Sequence, residues 1–177
     1  WVDCEIFKPK ERSLPPRLGP SVLYVGRLVK EKNLEALTSA VTSLDGIVNL
    51  VCLGEGPLRV ELERLGVECL GPREWNTLPS WYRNADVFAL PSLSEGHPKA
   101  LTEAMACGLP CVVSDAVTEG GDAVIRVAPE NLAEGLKLAL GLNGSWYGNK
   151  ARAHAVQHWD VRTLMPREIR YLKEAAR

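Results

Sequence analysis

The sequence lacks long apolar runs and lacks an excess of charge of either sign. No run approaches the roughly 18 consecutive apolar residues that suggest a membrane-spanning helix. The 21 basic residues are balanced by 22 acidic ones, giving a net charge of −1 at pH 7. Proteins that bind nucleic acid broadly carry a strong positive excess, so we expect no nucleic-acid partner. A hydrophobic content of 46% in 177 residues indicates one globular domain.

Patterns typical of metal sites are also scarce. Cys107 and Cys111 stand four apart near a predicted helix end, and His154 and His158 stand four apart on a predicted helix. Neither pair has a third or fourth ligand close by in the sequence, which a closed metal site would need. There is no Asp-x-Asp motif either. The sequence therefore predicts that no metal is bound.

The five cysteines are an odd number, and three of them lie in or beside apolar, strand-like runs. Buried thiols of this kind behave as small apolar side chains and persist in reducing compartments. We therefore predict free, buried thiols and a cytoplasmic protein.

Short apolar runs alternate with amphipathic stretches along most of the chain. We predict strands near 22–25, 48–53, 67–70, 86–90, 110–113 and 123–127. Helices are predicted near 34–43, 57–65, 78–84, 99–107, 130–140, 145–157 and 162–175. Strands that are apolar throughout suit a parallel sheet buried on both faces. The fold class predicted is α/β, a doubly wound parallel sheet of the Rossmann-like type.

The segment from Glu95 to Pro110 carries the most chemical information. A glycine turn follows the apolar run ending at Leu90, and Pro98 then favours the start of a helix. The free N–H groups and positive dipole end of such a helix attract anions. Glu95 and Glu103 flank this point, and carboxylates accept hydrogen bonds from sugar hydroxyls. Such a site suits a phosphorylated sugar.

Glu95 and Glu103, separated by seven residues, resemble the signature of the retaining GT-B glycosyltransferases, most closely those of family 4. Three further segments are similar to that family: Val22 to Asn33, Leu50 to Leu58 and Trp81 to Ser92. The resemblance is close over about residues 1–113 and looser beyond them. It implies that the chain is the C-terminal, nucleotide-sugar-binding half of a GT-B fold.

By this resemblance, Gly26, Arg27 and Lys32 line a phosphate loop, in which the two cations contact the diphosphate and stabilise the leaving group. Glu103 binds the ribose hydroxyls, and Glu95 contacts the donor sugar or stabilises positive charge at the anomeric carbon. Backbone groups next to Glu95 contact sugar and phosphate, namely those of Gly96, His97, Pro98, Lys99 and Ala100.

The sequence departs from the family pattern at three places. His97 stands where an aromatic residue is usual and Lys99 where an apolar residue is usual. We expect His97 to have a packing role and the Lys99 side chain to reach solvent. The segment 117–122 is shortened relative to the family, which leaves no contact assigned to it. Arg73 follows the third strand, in a turn that the resemblance places against the nucleotide base.

The function implied is transfer of a sugar, of the hexosyltransferase type, from a nucleotide diphosphate sugar to an acceptor hydroxyl with retention and without a metal. The donor would be a UDP, GDP or ADP sugar. A nucleotide-sugar epimerase or a sugar phosphorylase of the same architecture remains an alternative, as does a non-catalytic nucleotide-sugar-binding module. An epimerase would return an altered nucleotide sugar without any acceptor.

The resemblance also implies a division of the chain into three parts: 1–20 as a lead-in from an interdomain linker, 21–158 as the nucleotide-sugar-binding domain and 159–177 as a terminal helix. This helix would cross back to an N-terminal domain that binds the acceptor. Its apolar residues are then expected to be partly exposed: Leu164, Ile169, Tyr171 and Leu172. The chain begins at Trp1, so we expect a segment of a longer, cytoplasmic protein. The acceptor domain would provide any peripheral contact with the inner face of a membrane.

Overall fold

A six-stranded parallel sheet forms the centre of the protein. The computed structural model describes residues 1–15, 18–44, 46–141 and 144–166. The strands are β1 (Ser21–Val25), β2 (Asn49–Leu53), β3 (Glu68–Cys69), β4 (Val87–Leu90), β5 (Cys111–Ser114) and β6 (Ile125–Val127). They lie in the order β3-β2-β1-β4-β5-β6, and every pair is parallel. This is the doubly wound α/β sheet that the sequence predicts.

Helices cover the sheet on both sides. They are α1 (Leu34–Thr42), α2 (Arg59–Arg64), α3 (Leu78–Asn84), α4 (Lys99–Ala106), α5 (Leu132–Leu140) and α6 (Gly144–His158), with 3-10 turns at Lys30–Lys32, Gly121–Ala123 and Pro129–Asn131. All residues of β4 and β5 are buried, because helices cover both faces of the central strands. Residues 161–166 are also helical.

The strand order creates a crevice between β1 and β4. From β1 the chain moves outward through β2 and β3, then returns to β4 on the other side of β1 and continues outward to β6. The connections after β1 and β4 therefore diverge to opposite sides of the sheet. Doubly wound sheets bind ligands at this switch point, outside the carboxyl ends of the strands.

The first residues pack against the domain. Val2 pairs with Asp160 through a parallel bridge, and its N–H donates to the carbonyl of Trp159 at 2.9 Å. Arg83 donates to the carbonyls of Ile6 and Lys8. Cys4 and Phe7 are buried in the core as a result.

All six predicted strands are confirmed, and the six helices predicted between residues 34 and 157 are confirmed as well. The predicted helix near 162–175 begins at residue 161, and its part from residue 167 onward lies outside the described residues, together with Ile169, Tyr171 and Leu172. Leu164 is half-buried. The five cysteines are free and buried, as predicted. Within the described ranges, no helix is long and apolar enough to cross a membrane.

Candidate functional site

The loops that follow β1 and β2 are joined at two glycines. Gly26 donates its N–H to the carbonyl of Leu53 at 2.9 Å, and the N–H of Leu28 reaches the carbonyl of Glu55 at 2.8 Å. Gly54 approaches so closely that a Cβ on it would collide with the carbonyl oxygen of Gly26. Only glycines permit this approach, and the loop carrying Arg27 is thereby fixed to the sheet.

Arg27 lies on that loop with its side chain exposed. Its carbonyl accepts a hydrogen bond of 2.8 Å from the hydroxyl of the buried Tyr24. Burial raises the pKa of Tyr24 far above its usual value, so this hydroxyl remains a donor. The backbone of Arg27 is therefore held in place, and the guanidinium is available to an anion at the mouth of the crevice.

Lys32 and Glu95 meet across the switch point. The Nζ of Lys32, in the 3-10 turn after β1, is 2.5 Å from Oε1 of Glu95, in the loop after β4. Ser92 donates its hydroxyl to the same Oε1 at 2.6 Å. Ser114, at the end of β5, donates in turn to the carbonyl of Ser92 at 2.5 Å. Three neighbouring strands thus hold one carboxylate.

Asn33 stands just before α1, a position where asparagine often caps a helix with its side chain. The residue adopts a left-handed conformation with φ of 51° and makes no side-chain capping bond. Its N–H instead closes the preceding 3-10 turn on the carbonyl of Lys30. The same 3-10 turn carries Lys32, whose Nζ contacts Glu95.

The loop before α4 gathers the other predicted backbone contacts. Gly96 and His97 are exposed, Pro98 is the buried N-cap residue, and the helix begins at Lys99, followed by the half-buried Ala100. The N–H groups of a helix start lack intrahelical partners and attract an anion. These residues therefore form an open edge of the crevice.

Two side chains of this loop pack against aromatic rings. The ring of His97 makes an edge contact with Trp159 at 6.3 Å between centroids, which agrees with the packing role expected for it. Lys99 is exposed, and its Nζ lies 5.5 Å from the centre of the Trp1 ring. Its charge is stabilised there by the face of an aromatic ring.

Glu103 lies deeper than the sequence indicated. A glutamate on a helix is usually exposed to solvent, yet only 3% of Glu103 is exposed. Its Oε2 accepts a hydrogen bond of 3.0 Å from the hydroxyl of Tyr82 on α3. Burial raises the pKa of Glu103, while Tyr82, Lys99 and Trp75 each lower it. Trp75 is 42% exposed.

Arg73 lies apart from the pair formed by Lys32 and Glu95. It follows β3 at the edge of the sheet, separated from β1 by β2. Its guanidinium stacks 5.2 Å from the ring centre of Trp81. The carbonyl of Gly71, in the same turn, accepts the N–H of Gly54 at 3.0 Å. The turn after β3 is thus connected to the glycine loops.

Sequence reasoning missed the side chains that support the carboxylates, namely Ser92, Ser114 and Tyr82. Ser92 and Ser114 each stand at or just past the end of an apolar strand, and that position could have drawn attention to them. Tyr82 could not be identified in this way, because an aromatic residue in a helix usually packs in the core.

A cavity of about 390 Å³ lies at the opposite end of the sheet, lined in part by Pro20, Asp86 and Pro110. These residues precede β1, β4 and β5, so the cavity is remote from the crevice. No group of three or more potential metal ligands occurs in the part of the chain that the structure describes. His154 and His158, whose rings are 4.4 Å apart, lie beside Trp159.

The arrangement has a definite chemical character. Exposed cationic and N–H groups at one crevice can bind a diphosphate, and a carboxylate held beside them can accept hydroxyl hydrogen bonds or stabilise positive charge.

Comparison with known proteins identifies relatives. The family model described as "Glycosyl transferases group 1" matches residues 19–141. The sulfoquinovosyl transferase of Arabidopsis thaliana is 35% identical over 127 residues, covering 65% of this chain and 25% of that protein. A putative teichuronic acid biosynthesis glycosyltransferase of Bacillus subtilis is 37% identical over 111 residues, covering 63% and 28%. The chain thus spans well under half the length of these curated relatives.

Solved structures show the same fold. Sucrose-phosphate synthase from Thermosynechococcus elongatus superposes with a TM-score of 0.83 at 21% identity, covering 99% of this chain and 52% of that one. The Anabaena protein HepE, solved with UDP and glucose, gives 0.81 at 20% identity, with coverage of 97% and 55%. The C-terminal domain of a group 1 glycosyl transferase from Francisella tularensis gives 0.73 at 19% identity, with coverage of 91% and 100%.

Proposed function

Because the chain belongs to the glycosyl transferases group 1 family, we propose that it is the donor-binding half of a retaining glycosyltransferase with the GT-B fold. The donor is a nucleotide diphosphate sugar, and the sugar passes to an acceptor hydroxyl. The contact between Lys32 and Glu95 across the β1/β4 crevice carries this proposal. It brings a cation suited to a diphosphate next to a carboxylate suited to a sugar.

The positions of these residues support the following roles. Arg27 and Lys32 bind the diphosphate and stabilise its charge as the sugar leaves, with help from the N–H groups before α4. Glu95 faces the donor sugar and Glu103 the ribose. The turn of Arg73 lies on the side of the base. Since these cations and N–H groups supply positive potential, the proposed reaction needs no metal.

The acceptor is assigned to a part of the protein outside this donor-binding half. Val2 and Asp160 pair at one corner of the domain, which supports the proposal that residues 1–20 and 159–177 both connect there to the acceptor-binding part. The five buried, free thiols support a cytoplasmic location.

Calorimetric titration with UDP, GDP and ADP tests donor binding. We expect at least one of them to bind the wild-type chain, and Arg27→Ala to weaken that binding by about 1.5–3 kcal/mol, the range for charge-assisted hydrogen bonds. Arg64→Ala, which replaces an exposed arginine on α2, is the control and should bind as the wild type does. Unchanged affinity in Arg27→Ala would remove this residue from the site.

A second experiment tests the reaction class. The full-length protein is incubated with the matching nucleotide sugar, with and without acceptor, and the products are separated. Sugar transfer that depends on an acceptor and keeps the anomeric configuration supports the proposal. An altered nucleotide sugar formed without acceptor would instead identify an epimerase.

A further inference from the structure

The hydroxyl of Tyr82 has one acceptor among the side chains of the site, the carboxylate of Glu103. Tyr82 lies on α3 and is fully buried, and its hydroxyl donates to Oε2 of Glu103 on α4 at 3.0 Å. Buried tyrosine hydroxyls require such a partner. This hydrogen bond therefore joins a rigid part of the core to a residue that the proposed function assigns to the nucleotide.

The ring of Tyr82 is fixed from two sides. Its centroid lies 6.1 Å from that of Phe7 and 6.0 Å from that of Phe88 on β4. All three rings are buried, and interiors this dense leave little room for a different ring position. The position of the hydroxyl is thus set by the core, and Glu103 adopts the orientation that meets it.

A buried carboxylate needs donors to keep its charge. Burial raises the pKa of Glu103, and the hydrogen bond from Tyr82 is the first of the contacts that lower it. Tyr82 itself has a pKa well above its usual value because of burial and the neighbouring carboxylate, so it remains a donor. Without this hydroxyl, Glu103 would be less well oriented and more readily protonated.

We propose that Tyr82 is a positioning residue, whose hydroxyl orients the Glu103 carboxylate for the ribose hydroxyls of the bound nucleotide. The inference rests on the proposed function, because it assumes that a nucleotide occupies the crevice. A hydrogen bond that only stabilised the fold would leave discrimination between ribose and deoxyribose unchanged. A positioning role makes that discrimination depend on Tyr82.

The test uses Tyr82→Phe, which removes one oxygen and keeps the ring. UDP, GDP and ADP are titrated by calorimetry, each beside its 2′-deoxy counterpart, with inorganic pyrophosphate as a probe without ribose. Near neutral pH we expect Tyr82→Phe to bind the preferred ribonucleotide about tenfold more weakly, the cost of one charge-assisted hydrogen bond. Its affinity for pyrophosphate should match the wild type, and its affinity for the 2′-deoxy counterpart should fall less, because that compound keeps only the 3′-hydroxyl.

A pH profile adds a second measurement. The loss in Tyr82→Phe should be largest at the acidic end of the pH range in which the variant stays folded and should shrink as the pH rises, because a higher pH ionises a carboxyl group whose pKa is raised. Tyr147→Phe, on the half-buried Tyr147 of α6, is the control and should behave as the wild type does at every pH.

Glu103→Gln gives an independent readout if Tyr82→Phe does not fold. The amide oxygen can still accept the hydrogen bond of Tyr82, but the group no longer titrates. We expect this variant to bind the ribonucleotide weakly at every pH and to lose the preference over the 2′-deoxy compound. A wild-type preference for ribose in Glu103→Gln overturns the proposal.

The failures can be told apart. If the wild type binds no nucleotide, the proposed function fails and this inference fails with it. If the wild type prefers ribonucleotides and Tyr82→Phe keeps that preference, the positioning role alone is overturned. Equal losses for ribonucleotide, deoxynucleotide and pyrophosphate in Tyr82→Phe would also overturn it, because they indicate a structural effect.

Discussion

The carboxylate of Glu95 accepts two hydrogen bonds on one oxygen, from Lys32 and from Ser92. The side chains of Lys32 and Glu95 are only 15% and 12% exposed, so solvent screens their attraction less than it would at the surface. A diphosphate entering the crevice would therefore compete with Glu95 for the lysine. In the absence of ligand, Glu95 neutralises part of the positive charge of Lys32 that would otherwise attract a diphosphate.

Removing the charge of Glu95 should consequently strengthen diphosphate binding. We expect Glu95→Gln to bind the preferred nucleoside diphosphate about three- to tenfold more tightly, since a change of about 1.4 kcal/mol corresponds to tenfold. Sugar transfer by the full-length variant should fall, because the carboxylate that the proposed function assigns to the donor sugar is lost. Calorimetry measures the affinity and product formation measures the transfer.

The double variant supplies the control for this prediction. In a Lys32→Met background the competing partner is absent, so Glu95→Gln should alter nucleoside diphosphate affinity much less than it does alone. This comparison is a double-mutant cycle that isolates the pair. Weaker nucleoside diphosphate binding by the single variant Glu95→Gln would contradict the idea of competition.

At the residue scale, the charged residues of the candidate site could be predicted from the sequence, whereas the side chains that surround them could not. Arg27, Lys32 and Glu95 stand just past apolar strands, and the carboxyl ends of parallel strands share one edge, so their proximity could be expected. The burial of Glu103 could not be expected, because it depends on Tyr82 and Trp75, which come from another helix and a loop. Contacts between distant segments leave no local pattern in the sequence.

At the scale of elements, the strands were the most predictable feature. Each is a short, continuous apolar run, and burial on both faces of a parallel sheet demands that pattern. The 3-10 turn at Lys30–Lys32 and the left-handed Asn33 were not foreseen. This turn is closed by a hydrogen bond between backbone groups, from the N–H of Asn33 to the carbonyl of Lys30, and such a bond leaves no clear pattern in the sequence.

The close approach of α6 to the end of α4 gives a prediction at this scale. A Cβ on Gly148 would collide with the carbonyl oxygen of Gly108, and a backbone atom cannot easily move away. We expect Gly148→Ala to destabilise the fold by about 1–3 kcal/mol, the usual cost of overpacking. The free energy of unfolding in urea measures this effect.

Asn149→Ala is the matched control, because Asn149 is exposed on the same helix and alanine favours helices. It should change the free energy of unfolding by no more than about 0.5 kcal/mol. Equal stability of Gly148→Ala and Asn149→Ala would show that α6 packs further from α4 than the structure indicates.

At the scale of the whole molecule, Arg152 connects three separate parts of the chain. Its guanidinium donates to the carbonyls of Cys4 at 2.9 Å, Phe7 at 2.8 Å and Ala106 at 2.6 Å. Residues 1–20 show no periodicity, so the sequence predicted only an extended lead-in there. Phe7 is buried against residues that are distant in the sequence, so its burial could not be predicted from its own segment.

Arg152 should therefore contribute strongly to stability. Arg152→Met keeps an apolar stem but leaves the three carbonyls without their donor, and we expect a loss of about 2–4 kcal/mol in the free energy of unfolding. The loss should be accompanied by faster proteolytic cleavage within residues 1–9, because the first segment would be released before the sheet unfolds. Arg64→Met, which alters an exposed arginine on α2, should change neither quantity appreciably. If Arg152→Met unfolded at the same urea concentration as Arg64→Met and resisted the protease equally, the first segment would be held without Arg152, by the burial of its apolar residues and by the hydrogen bonds from Arg83.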